Sequence, residues 1–162
     1  KVTSAPSWPR RPMPVPITAD ILRGTMRLLL DLGFSSLPEF TLRTGRRIDL
    51  MALAPDGRFA AIEVKSSRAD YLSDRKWPEY RQHCDRLFFA THPGVPLDIF
   101  PEECGLIVSD GYGAELLREA PEHRLAPATR KALTLRFARI AADRLQQAEW
   151  AANPYMTGLA EE

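Results

Sequence analysis

Apolar residues recur at helical spacing early in the chain: Ile21, Leu22, Met26, Leu29 and Leu30 share one side of a predicted helix. Thr18 stands before them as an N-cap, Asp20 lies in the first turn, and Gly33 ends the run. The period then changes. FSSLPEFTL reads as extended, and RRIDLMALA and RFAAIEVKS read as strands joined by the turn Pro55-Asp56-Gly57, which predicts an antiparallel pair or meander. A polar helical stretch follows from Arg68 to Cys84, broken near Trp77-Pro78. DRLFFAT and GLIVSD are strand-length apolar runs suited to burial on both faces, and the proline-rich THPGVPLDIFPEE between them predicts no regular structure. ELLREAP is an edge-strand candidate. Pro127 opens a last helix reaching Trp150, with Leu133, Phe137, Ile140 and Leu145 on one face. This order predicts a mixed α/β domain with a central sheet flanked by helices.

Strand alternation sharpens the picture. Ile62 and Val64 share one face, Glu63 and Lys65 the other. Ile48 and Leu50 likewise share a face, with Asp49 pointing opposite. Asp49 and Glu63 each stand seven residues from Asp56, so a directly closed turn sets them opposite one another. Two such acids repel unless positive charge lies between them. Lys65 supplies some. A divalent cation supplies more, since Mg²⁺ takes one or two carboxylates plus water. Metal-assisted phosphodiester hydrolysis needs this inventory. The plain alternative is a solvated sheet edge with Glu63 and Lys65 as a surface ion pair.

Composition limits the rest. At 162 residues the chain reads as one domain over 17–150, with an extended segment 1–16 holding five prolines and a tail 151–162. In the first segment Trp8 suits packing, while Arg10 and Arg11 suit a polyanion. The formal charge of +1 points to neither a membrane surface nor a strongly acidic partner, although Arg43 to Arg86 holds ten Lys/Arg against seven Asp/Glu. Cys84 and Cys104 make no disulfide framework, so a reduced cytoplasmic setting fits. No apolar run is long enough for a membrane span, and the start lacks a signal-peptide h-region. His83, His92 and His123 lack ligand spacing and read as surface or satisfied core. Ser66 and Ser67 either bind a phosphate or end the strand. Asp70 and Asp74 read as helix caps, Trp77 as a packing wedge rather than a base-stacking platform. Arg130, Lys131, Arg136, Arg139 and Arg144 read as a solvated helix face.

Asp49 followed by Glu63-Val64-Lys65, on consecutive antiparallel strands after a helix, resembles the PD-(D/E)XK nuclease superfamily. The runs GRRIDLMAL and IEVKSSRADYLSDRKWPEYRQHCDRLFFAT are similar to the MmcB family of bacterial DNA repair proteins, covering roughly residues 17–120. The resemblance implies a restriction-endonuclease-like (PD-(D/E)XK) fold. It implies Asp49, Glu63 and the Val64 carbonyl as ligands of Mg²⁺ (or Mn²⁺), with Lys65 as the catalytic lysine. Glu39 is the candidate for an added acid. Lys76 and Tyr80, four apart and so one helical turn, match the polar residue and tyrosine that many members carry after the lysine strand. Ile48 stands where the superfamily's name has Pro. The expected partner is DNA, with a homodimer or a repair-protein partner both compatible. Two functions stay open: a metal-dependent DNA nuclease, and a DNA- or protein-binding module that does not cut.

Overall fold

The structure, a computed structural model, describes residues 17–74 and 76–153. The expectations for segment 1–16, including Trp8, Arg10 and Arg11, lie outside the described residues, as does most of the 151–162 tail. Helix α1 spans Thr18–Asp31. Ile17 rather than Thr18 is its N-cap, and the capping oxygen is Oδ2 of Asp20, which accepts the Ile17 N–H at 3.3 Å. Gly33, at φ +82°, turns the chain so that its own amide and that of Phe34 reach the carbonyls of Leu30 and Leu29.

Strands β1 (Ser35–Thr41), β2 (Arg47–Leu53) and β3 (Phe59–Val64) form the expected antiparallel meander. The chain then crosses through α2 (Arg68–Ser73) and a 3-10 helix (Trp77–His83) to β4 (Arg86–Thr91), which lies parallel to β3. β5 (Gly105–Ser109) is parallel to β4, and the proline-rich connection to it holds one 3-10 turn, Leu97–Ile99, where none was expected. Pro96, with φ −58° and no N–H, leads into that turn. β6 (Ala114–Arg118) closes the sheet as an antiparallel edge, and α3 (Pro127–Ala152) follows. The six strands lie in chain order. No helix among the described residues is long and apolar enough to cross a membrane.

Both sheet faces are covered, as central parallel strands require. On one face Ile21 and Leu29 of α1 pack on Leu50, Ile62, Val64 and Ile107. The other face buries Phe40, Met51, Phe59, Phe89 and Phe137 beneath the crossover and α3. Trp77 is the packing wedge it was expected to be, its ring 5.4 Å from Phe89. α1 meets the β5–β6 turn closely: a Cβ at Gly24 would stand 2.1 Å from Ser109 Oγ and 2.6 Å from the Gly113 carbonyl oxygen. Gly24→Ala should therefore cost about 1–3 kcal/mol through overpacking, although Ala favours a helix. Urea denaturation checks this, and an unchanged midpoint would show that α1 backs away freely.

Lys131 and Arg139 of α3 are exposed as expected, but Arg130, Arg136 and Arg144 are bonded to the rest of the fold. Arg130 pairs with the fully buried Asp85 at 2.6 and 2.8 Å and also donates to the Gly57 carbonyl. Arg136 donates to the carbonyl of Thr41, and Arg144 to those of Pro38 and Glu39. These bonds fasten α3 along β1, the sheet's other edge. Leu145 also departs from its expected place. It is 61% exposed, because it lies about 120° round the helix from Leu133.

Candidate functional site

Pairing between β2 and β3 runs from Leu53↔Phe59 to Leu50↔Ile62. The next place in that register belongs to Asp49 and Glu63, as the turn arithmetic requires. There the carboxylates take over from the ladder. The Val64 N–H donates to Asp49 Oδ2 at 2.8 Å, and the Asp49 N–H to Glu63 Oε1 at 3.4 Å. Each strand thus gives a backbone donor to the other strand's acid. Ile48 does not share a face with Leu50. Leu50 joins the α1 core and Ile48 the opposite one. The cause lies beside Asp49: Glu39 has φ +50°, drops out of the β1–β2 register, and breaks the alternation there.

Lys65 follows directly on β3. Its amide donates to the Ala90 carbonyl at 2.9 Å, and its carbonyl accepts from Thr91 Oγ1 at 2.7 Å, so β4 fixes the backbone. The ammonium, 5% exposed as a residue, lies 2.7 Å from Asp74 Oδ2 and 3.9 Å from Glu63 Oε2. Asp74 reaches it because α2 is short. Ser67 caps that helix by accepting the Asp70 N–H, Asp70 accepts the Ser66 N–H, and Asp74 ends it. The two serines thus end the strand and start a helix. His92 braces the same loop. Its Nδ1 accepts the Gly94 N–H, so Nε2 carries the proton and donates to the Ser66 carbonyl at 2.9 Å.

Electrostatics follow from this crowding. Burial, then the charge of Asp49, pushes Glu63 from an ordinary 4.5 to about 8. Burial also raises Asp49, against the Val64 hydrogen bond and the charge of Lys65. For Lys65 burial works against the ammonium, but the Asp74 hydrogen bond and the charges of Asp74 and Glu63 prevail and hold it above its ordinary value. Asp74, opposed by burial, is held low by Lys65 and by the Lys76 amide.

Asp49 Oδ1 and Glu63 Oε2 receive no hydrogen bond from the described residues. Two such oxygens, on acids whose charged forms are penalised, suit a hard divalent cation, with the Val64 carbonyl as a third donor. Among the described residues no group of three His, Cys, Asp or Glu side chains gathers, so water would complete the shell. Glu39 is not brought in: its side chain is 64% exposed and pairs with Arg47 at 3.2 Å. Nor do Lys76 and Tyr80 align. Lys76 is the exposed N-cap of the 3-10 helix and Tyr80 is buried within it, and three residues per turn put a four-residue spacing out of phase. Tyr80 alone borders the acids. Its hydroxyl donates to the Arg47 carbonyl at 3.2 Å and is pushed to about 12 by burial and by Glu63, Asp74 and Asp49. The apolar cavity of about 220 Å³ under α1, lined mainly by Leu29, Phe34, Phe88 and Ile107, offers no comparable donor set.

Comparison with protein families matches residues 16–152 to a family described as DNA repair protein MmcB-like. The chain belongs to the MmcB-like family. The match spans α1 to α3 and so contains every group of the site. A solved structure of a Silicibacter pomeroyi protein of unknown function is similar to this MmcB-like chain, at 45% identity and a TM-score of 0.77. That likeness covers 87% of this chain and 94% of the other. No curated protein matches. The MmcB-like site has one member that sequence reasoning read only as a cap, Asp74. A signal existed: Pro78 forces a break ahead of it, which ends the first helix within reach of Lys65.

Proposed function

We propose that this MmcB-like protein is a PD-(D/E)XK-type, metal-dependent nuclease that hydrolyses phosphodiester bonds in DNA repair. One observation carries the reading: Asp49 and Glu63 interlocked across β2 and β3, with the Lys65 ammonium at the same sheet end. Asp49, Glu63 and the Val64 carbonyl would hold Mg²⁺ (or Mn²⁺), which when bound offsets phosphate charge and acidifies water. Lys65 stays cationic and presents a fixed positive charge to the reacting phosphate, with Asp74 orienting it. Tyr80 braces the β2 backbone beside Asp49. Lys76, exposed next to Asp74, would meet a DNA backbone phosphate. The family's description as DNA repair proteins supports DNA as the substrate.

The test is a cleavage panel on single-stranded, nicked, flapped and four-way DNA with Mg²⁺, Mn²⁺ or chelator. Metal-dependent nicking of at least one substrate is expected. The Lys65–Asp74 contact also favours a second reading, a module that binds DNA without cutting, because it occupies the ammonium. DNA binding without nicking in any metal would select that reading.

Metal should also reshape pH stability. Glu63 titrates near 4.5 when unfolded and near 8 when folded, so between these values the folded state binds more protons. Its contribution to stability therefore falls as pH rises through that window. Melting followed from pH 5 to pH 8.5 should show this decline in chelator and a smaller one in Mg²⁺. Equal declines in both would remove Glu63 from the proposed ligand set.

A further inference from the structure

α3 carries apolar residues on two faces. Leu133 and Phe137 point into the core. On the far side lie Leu135, Ala138, Ala142 and Leu145, at spacings of three, four and three that match a coiled-coil seam. All four are exposed, the leucines by 59% and 61%. The seam is a palindrome about position 140: Leu135 mirrors Leu145, and Ala138 mirrors Ala142. The exposed charges beyond it obey the same mirror with opposite sign, Lys131 against Glu149. A two-fold axis across the helix at that position sets every residue against its mirror in a second copy.

We propose that α3 pairs antiparallel with α3 of a second copy of this chain, through the Leu135–Ala138–Ala142–Leu145 seam. The central alanines let the helix axes approach to about 8 Å, and the leucines fill the two ends. Lys131 then meets Glu149 of the second copy twice, once at each end. Parallel pairing would set Lys131 against Lys131 and Glu149 against Glu149, which the charges oppose. The seam is only about 15 Å long, so association is concentration-dependent rather than permanent.

Sedimentation velocity on the full chain, taken up to about 1 mM, tests this. The average mass should climb from 18.2 kDa toward twice that value. Leu145→Glu should stay monomeric throughout. Lys131→Glu should weaken association about tenfold, and adding Glu149→Lys should restore it. Each substituted side chain is exposed, so circular dichroism should be unchanged. A wild-type chain that remains at 18.2 kDa, or a dimer indifferent to Leu145→Glu, overturns the proposal. Failure of the double swap to restore pairing overturns the antiparallel register.

Discussion

Lys65→Ala should lower metal-dependent DNA cleavage by about a hundredfold to a thousandfold, the usual cost of losing a fixed transition-state charge partner. The ammonium is suited to that role because every degree of freedom around it is spent. Its backbone is bonded on both sides to β4, and its Nζ is held at 2.7 Å by Asp74. Its raised pKa keeps it charged across neutral pH, so in the proposed reaction it would serve as a cation and not as a base. Lys65→Arg should not rescue activity, since a planar guanidinium does not fit a 5%-exposed ammonium site. The measurement is single-turnover cleavage, with thermal melting as the folding control. Loss of Lys65 leaves Asp49, Glu63 and Asp74 close together without their shared cation, so the melt should be run in metal. Full activity in folded Lys65→Ala would end its assignment to the reaction.

The largest stability effect is expected far from the acids, at Arg130. Asp85 has no exposed surface and accepts four bonds, from the amides of Phe59 and Leu125 and from the two terminal guanidinium nitrogens of Arg130. Arg130→Ala removes the charge and leaves a buried carboxylate, a change that costs about 3–5 kcal/mol. Acid should narrow that gap. Burial pushes the Asp85 carboxyl up, but Arg130 and the two amides prevail and hold it below its ordinary 3.8. Stability from this group is thus complete above the unfolded carboxylate range and is lost as pH falls through the folded pKa. Without Arg130 burial raises the folded pKa, so the carboxyl takes up its proton at higher pH and part of the variant's cost is relieved there. Urea titrations at neutral pH and at pH 4.5 should separate variant from wild type most at neutral pH, because acid lets the variant neutralise its unpaired carboxylate. A cost below about 1 kcal/mol would mean that the two amides alone satisfy Asp85.

What could be seen in the sequence was what local rules decide. The Pro55-Asp56-Gly57 turn and strand alternation together placed Asp49 opposite Glu63, because hairpin register depends on the turn between the strands. The buried runs became β4 and β5, since such strands read as continuous apolar segments. The failures came where a residue's place depends on distant chain. Glu39 faces outward because its positive φ breaks β1, and Arg144, a hundred residues on, grips that stretch of backbone. Periodicity cannot report a contact of that kind. Lys76 and Tyr80 were aligned on an assumed α-helix, and the segment is a short 3-10 helix instead, whose tighter turn periodicity alone does not show. Arg130, Arg136 and Arg144 looked solvated because their partners, a buried acid and edge-strand carbonyls, lie in other elements.

The parallel pairing of β3 with β4 also sets the order in which the site can be assembled. The two acids belong to a hairpin whose turn is local, so they can meet without waiting for the rest of the chain. Lys65 gains its anchors at Ala90 and Thr91 only after residues 65–85 have closed as a loop, and that closure carries an entropic cost that the hairpin does not share. The carboxylates can therefore meet while Lys65, their neighbour on β3, still lacks the anchors that fix it. On that account the refolding rate should rise when pH falls far enough to neutralise one acid, and magnesium should speed the same step at neutral pH.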